Sequence, residues 1–379
     1  MTLKTQLIGA AAMVTMMTSG MALAEGWPDL PVGIKNGIAT RVDNRVIVGL
    51  GTAGADIFAL DLDDRGAGWK KLSPFTGAVP SQPAVAVSNG AIYVFGGSGK
   101  ASADAAAPIV FDTVWRYDAA ADSWQELDTA TPAGLLGASA MTMPDGRIAV
   151  IGGYNKDQFD SYLAEITAID KEKSPDQWAK VVQDFMGRKP EAYQWNKMVL
   201  VYDPVANIWG DLGANPYLPN TGSAVVETAP GSFDVINGEV KPGLRTTEVK
   251  SLTFDADGAD WQPLAPLPGA EGVAGAYAGL ANGQVLVAGG ANFQGARARA
   301  EAGHWFAHEG LTKHWASEVH VLSPDGWQQV GTLSEGLAYG GSVTLDEGVL
   351  LIGGEDATGT ARSEVFLLGW DGTTLSRQD

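Results

Sequence analysis

The sequence predicts an all-β protein, a six-bladed β-propeller with a helical insert on its loop-rich face. Three observations carry that expectation. A unit of apolar strand, glycine pair, second strand ending in an acid and third strand opened by Trp recurs along the chain, and such self-similarity marks a radially repeated architecture. The glycine-pair position occurs six times. The 379 residues include 49 Gly, 19 Pro and 12 Trp, which suits short strands joined by turns.

The first blade begins near Asn36 and reads "RVIVGLG" with a split pair at Gly49 and Gly51, then "DIFALD", then "WKKL". The second reads "AIYVFGG", "TVWRYD" and "WQEL"; the third "RIAVIGG", "MVLVYD" and "WGDL". The fourth departs, with "DVINGE" in place of a plain pair, followed by "EVKSLTFD" and "WQPL". The fifth has "QVLVAGG" and "WQQV", and the sixth "VLLIGGE" and "EVFLLGWDG". Glycine lets the chain turn where a side chain would strike the next sheet, and Trp supplies a large apolar surface between sheets. Glycine doublet, Tyr-Asp and Trp in this order resemble the kelch repeat. No Trp strand is obvious after "EVFLLGWDG", whereas "GWPDLP" at Trp27 has its form. The N-terminal segment is therefore expected to supply the outer strand of the last blade, with "TTLS" at the C-terminus as the alternative.

Residues 25–379 are expected to form the propeller and residues 1–24 a signal peptide. Lys4 precedes an apolar run, "LIGAAAMVTMMTSG", and "ALA" ends it at Ala24, the pattern of a cleavable export segment. The run is too short and polar-interrupted to span a bilayer, so the mature chain is expected in the periplasm without membrane insertion. The formal net charge of -19 argues against a nucleic-acid partner, which needs clustered Lys and Arg. With no Cys there is no disulfide, thiolate metal site or cysteine nucleophile.

"NG" at Asn89, "DG" at Asp145 and "NG" at Asn282 are tight hairpins joining the first two strands of their blades. The segments after the glycine pairs are much longer and emerge on the opposite face, where a rigid scaffold presents loops for function. The longest, 155–197, contains "FDSYLAEITAIDKE" and "SPDQWAKVVQDFMG". Their apolar spacing and Ser174-Pro175 predict two helices forming a lid or pocket wall.

In "INGEVKPGLR", Glu239 and Arg245 flank a Pro242-Gly243 turn that holds them close. The pair is either a loop-stabilising ion pair or a carboxylate acid–base group beside a carboxylate-binding guanidinium. Arg297 and Arg299 lie in the blade-five loop of the same face. All four His fall between 304 and 320, and His304 and His308 have helical metal-ligand spacing. No third ligand has matching spacing, so no metal is expected. "GTAG" lacks the G-x-x-x-x-G-K-[ST] pattern of a phosphate loop.

"INGEVKPGLRT", "GVAGAYAG", "VAGGANFQG", "FAHEGL" and "YVFGGSGK" together resemble the N-acetylneuraminate epimerase (sialic acid mutarotase) family of exported six-bladed kelch propellers. The resemblance spans nearly the whole mature chain. It implies Glu239 as proton acceptor, Arg245 in the active site, and Arg297, His308 and Glu309 at family positions. Asn237, Tyr339 and Asn196 join them as candidate substrate contacts. The implied activity is interconversion of the α and β anomers of free N-acetylneuraminate, an acidic sugar, through its open chain, without cofactor. Two departures, Leu337 in "SEGLAYG" and the lack of arginine in "AVPSQPA", leave room for a related 2-keto sugar acid. The alternative is a non-catalytic kelch lectin. A copper radical oxidase on the same blades is excluded, because its Tyr-Cys cofactor needs a cysteine.

Overall fold

The computed structural model describes residues 26–255 and 258–379; the expected signal segment and its cleavage point lie outside them. Among the described residues six four-stranded antiparallel sheets follow one another, at 38–71, 84–130, 139–214, 224–264, 277–332 and 341–378. Each is a meander of contiguous chain. Six apolar clusters fill the six gaps between neighbouring sheets. Between blades 1 and 2, for example, Trp124 packs on Phe75 and Tyr117, at the side of a cluster that includes Ile47 and Ile92. The repeated Trp is thus the wedge that lets one sheet bury its face on the next.

Both residues of every doublet have positive φ. In blade 1 the pair is Leu50-Gly51 rather than Gly49 and Gly51, with Leu50 at φ 61. In blade 4 Asn237 holds the same left-handed turn at φ 54, a conformation that Asn tolerates better than most residues.

The ring closes differently from the expectation. The outer strand of the last blade is Leu375–Gln378, from the C-terminus, paired with Leu367 to Trp370. Leu375 takes the Trp position, packing between blades 5 and 6, which is why the strand escapes a search for Trp. The N-terminal segment instead runs between the first and last blades. Trp27, Leu30 and Ile34 are buried there, and Leu30 and Ile34 donate backbone N–H groups to Ser363 and Arg362. The apolar gap between these blades offers Trp27 more burial than an edge-strand position would.

On the loop-rich face the blades are tied by a closed ring of backbone hydrogen bonds. Asn36, Gln82, Gly137, Gly222, Gly275 and Tyr339, one from the segment entering each blade, all have φ between 53° and 71°. Each donates its N–H to the carbonyl of the preceding member, and Asn36 donates to Tyr339, at 2.7–2.9 Å throughout. Tyr339 is bulky for φ 59, a conformation that costs about 1–3 kcal/mol. Its ring lies over Gly275, where a Cβ would stand 2.3 Å away. The residue after each doublet pairs with the residue before each ring member. Those post-doublet positions are Thr52, Ser98, Tyr154, Glu239, Ala291 and Glu355.

The insert contains α1 (Lys156–Ala168) and α2 (Pro175–Met186). Asn155 caps α1 through the N–H of Gln158. α1 docks on the blade-two loop, where Asp160 accepts from Val110 N–H at 2.7 Å. An aromatic cluster of Phe185, Tyr193 and Trp195, flanked by Tyr154, Phe159 and Tyr162, fastens α2 to the mouth.

Candidate functional site

The departure in blade 4 builds a second, smaller hairpin over the mouth. Glu239–Lys241 pairs with Leu244–Arg245 across the Pro242-Gly243 turn, and Glu239 and Arg245 are direct cross-strand partners. Cross-strand neighbours share a face of the ribbon, and the Arg245 guanidinium meets Glu239 Oε1 at 2.8 Å. Gly243 N–H also points at Oε1, at 3.2 Å. The Tyr154 hydroxyl donates to Oε2 at 3.0 Å. Burial, then the Glu239 charge, pushes the pKa of that phenol well above its ordinary value, so it remains a neutral donor. Stacking on Trp195 at 4.3 Å sets its ring.

Arg245 is 5% exposed. Its Nε donates to the Ala291 carbonyl at 3.2 Å, its Nη2 to the Tyr339 hydroxyl at 3.3 Å, and the guanidinium lies 5.1 Å from the Phe293 ring centroid. Nε and Nη2 are thus hydrogen-bonded to the protein, while Nη1 is buried against Glu239 as an ion pair and makes no hydrogen bond of its own. This differs from a free clamp for a substrate carboxylate: the short hairpin folds Arg245 inward, beneath Tyr339 and Phe293, and uses it to hold Glu239.

Lys241 is buried completely. Its ammonium donates to the carbonyls of Met186, at 2.7 Å, and Trp305. The hairpin is thus locked to the insert on one side and to the blade-five loop on the other. Burial pushes the Lys241 pKa down to about 8.

The other sequence candidates divide. Tyr339 lies at the site through Arg245. His308 packs under the hairpin turn: a Cβ on Gly243 would stand 1.8 Å from its Nδ1. Burial, and secondarily the Lys241 charge, lowers the His308 pKa to about 4, so the ring is neutral near pH 7. Asn237 and Asn196 spend their side chains on the scaffold. Asn237 bonds Glu248 O and Val273 N, and Asn196 bonds Gly152 O and both backbone groups of Met198. Arg297, on α3 (Ala296–Glu301), lines a groove of about 280 Å³ that Val240, Leu244 and Arg245 of the hairpin also line, and approaches Glu301 at 3.8 Å. Glu309 is exposed, and its carbonyl accepts from Arg299. His304 and His314 are exposed while His320 is buried in its sheet. Among the described residues no three His, Asp or Glu side chains form a metal-binding group.

Sequence reasoning missed Tyr154, Lys313, Glu355 and Lys35. Glu355 accepts from Lys313 and Trp315 on Oε1 and from Lys35 on Oε2. Burial alone would raise its pKa, but the hydrogen bonds from Lys313 and Lys35 outweigh that and lower it. Aligning the six repeats on the post-doublet residue would have exposed Tyr154 and Glu355 beside Glu239.

Comparison with known proteins agrees with this architecture. The family model described as N-acetylneuraminate epimerase matches residues 27–376. The chain is 52% identical over 375 residues to an N-acetylneuraminate epimerase of Brucella melitensis biotype 1, spanning 97% of this chain and 96% of that one. It is 47% identical over 371 residues to one of Vibrio vulnificus, spanning 96% of each. A solved structure described as "Structure of YjhT" matches with a TM-score of 0.88 at 34% identity, covering 93% of this chain and 99% of that chain.

Proposed function

The chain belongs to the N-acetylneuraminate epimerase family, and on that premise we propose that it interconverts the α and β anomers of free N-acetylneuraminate, with Glu239 as the acid–base group. The observation that carries the mechanism is a partly exposed carboxylate, 17% accessible, whose two oxygens are oriented by Arg245 and Tyr154. Glu239 takes the proton from the anomeric hydroxyl. The electron pair of that O–H bond forms the C2 carbonyl, and the bond from C2 to the ring oxygen breaks. The ring oxygen receives a proton from the carboxylic acid just formed. Rotation about the C2–C3 bond presents the other carbonyl face, and closure reverses each step. One carboxylate serves as base and then acid, and such proton transfer contributes about 10²–10⁴-fold.

The wild-type protein should accelerate exchange between the two anomeric signals of sialic acid in NMR exchange spectroscopy. Binding without acceleration would identify a lectin instead. Tyr154→Phe should lower kcat about tenfold, the worth of one hydrogen bond to a charged group, because the phenol orients Glu239. A loss of a thousandfold would instead make Tyr154 the acid for the ring oxygen. The sequence pattern of Lys4, the apolar run and Ala22 to Ala24 supports export to the periplasm.

A further inference from the structure

An acidic sugar opened at Glu239 carries its carboxylate on C2, the carbon that bears the anomeric hydroxyl. That group needs a cationic partner close to the base, and Arg245 is a poor one: it is only 5% exposed and its charge is spent on Glu239 at 2.8 Å. We propose that Lys313 receives the substrate carboxylate, with Glu355 and Lys35 as the residues that position it. This inference rests on the epimerase reading above.

Lys313 opens the short strand Lys313–Trp315, which pairs with Ala291–Phe293. Its partner strand carries the Ala291 carbonyl that anchors Arg245. The Lys313 ammonium lies 4.4 Å from the centroid of the Tyr339 ring and 4.6 Å from that of Trp315. The hydroxyl of the same Tyr339 accepts from Arg245. Lys313 and Glu239 therefore approach one tyrosine from two directions, the first at its face and the second through Arg245 at its hydroxyl.

The charges favour Lys313 over its neighbours. Glu239 and Arg245 cancel. Glu355 is shared by two lysines, so the group of Lys35, Glu355 and Lys313 keeps one uncompensated positive charge in a chain of formal charge -19. Lys35 donates to Glu355 at 2.5 Å and also to the Gly359 carbonyl at 2.6 Å. Among the described contacts Lys313 donates only to Glu355, leaving two of its three N–H directions. Its side chain is 26% exposed against 5% for Arg245. Two aromatic faces and a carboxylate fix the ammonium before substrate arrives, which limits the ordering cost of binding.

The test compares N-acetylneuraminate with its C1 methyl ester, in wild type, Lys313→Met and Lys313→Arg, by saturation kinetics of anomer exchange. Lys313→Met should raise KM for the acid about 10- to 150-fold, the span expected for a charge-assisted hydrogen bond, with kcat changed far less. It should change KM for the ester no more than about threefold. Wild type should bind the ester about as weakly as Lys313→Met binds the acid, and Lys313→Arg should recover most of the affinity for the acid. Equal losses for acid and ester, or none for either, would overturn the inference while leaving the activity standing. Wild type that fails to accelerate exchange of the acid would remove the epimerase reading and this inference with it. Where Lys313→Met does not fold, Lys313→Gln keeps a donor for Glu355 and carries the same expectation.

Discussion

Glu239→Gln should lower kcat for anomer exchange by about 10²–10⁴-fold, the contribution of a positioned acid–base group. The amide keeps the length and planarity of the carboxylate. Its carbonyl oxygen can still take the Gly243 N–H that Oε1 takes now. What it cannot do is accept the anomeric proton. Substrate affinity should change little, because Lys313, not Glu239, grips the carboxylate. The substitution also leaves the Arg245 charge buried without its counter-ion, which costs stability. Kinetics should therefore be read well below the melting transition, with saturation-transfer NMR reporting binding separately. Wild-type exchange rates in Glu239→Gln would mean that the base is another group.

Arg245→Ala should damage both fold and turnover. The guanidinium joins Glu239, the Ala291 carbonyl, the Tyr339 hydroxyl and the Phe293 ring. Removing one partner of a buried ion pair costs about 3–5 kcal/mol; the lower end, about 3 kcal/mol, applies here because Glu239 keeps some contact with water. Urea denaturation would register that loss as a lower midpoint. The kcat should fall with it, since Oε1 loses its strongest partner and the hairpin its cross-strand tie. Arg245→Lys should rescue little, because one ammonium cannot reach three acceptors set in a fork. A variant with normal kcat and stability, but a KM raised for the acid and not for the methyl ester, would identify Arg245 as the clamp and contradict the geometry described above.

The hairpin was legible in the sequence because its chemistry is local. Glu239 and Arg245 are brought together by a turn within the same segment, and Pro242-Gly243 specifies that turn. The state of Arg245 was not legible. Its burial depends on Phe293 and Tyr339, which belong to other blades. Asn237 and Asn196 illustrate the reverse error. Each is polar and lies near the mouth, yet each is consumed by buried backbone groups that would otherwise be unpaired. Arg297 follows its helix to a groove that Val240 and Leu244 also line, a placement that residue type alone could not have given.

The sequence by itself determined the repeat, and with it the number of blades, the face that bears the long loops and the residue pair at the fourth doublet. These follow from short-range physics: alternating apolar residues make strands, left-handed Gly or Asn turns them, and Trp wedges neighbouring sheets apart. Tertiary structure alone decided which terminus closes the ring and which side chains meet at the mouth. Lys35 and Glu355 are 320 residues apart in the chain yet bonded in space, because closure makes the first and last blades neighbours. The physical reason is the rotational arrangement of the blades. It carries the same repeat position of every blade to the axis, so Tyr154, Glu239 and Glu355 converge through symmetry of position rather than through any spacing written along the chain.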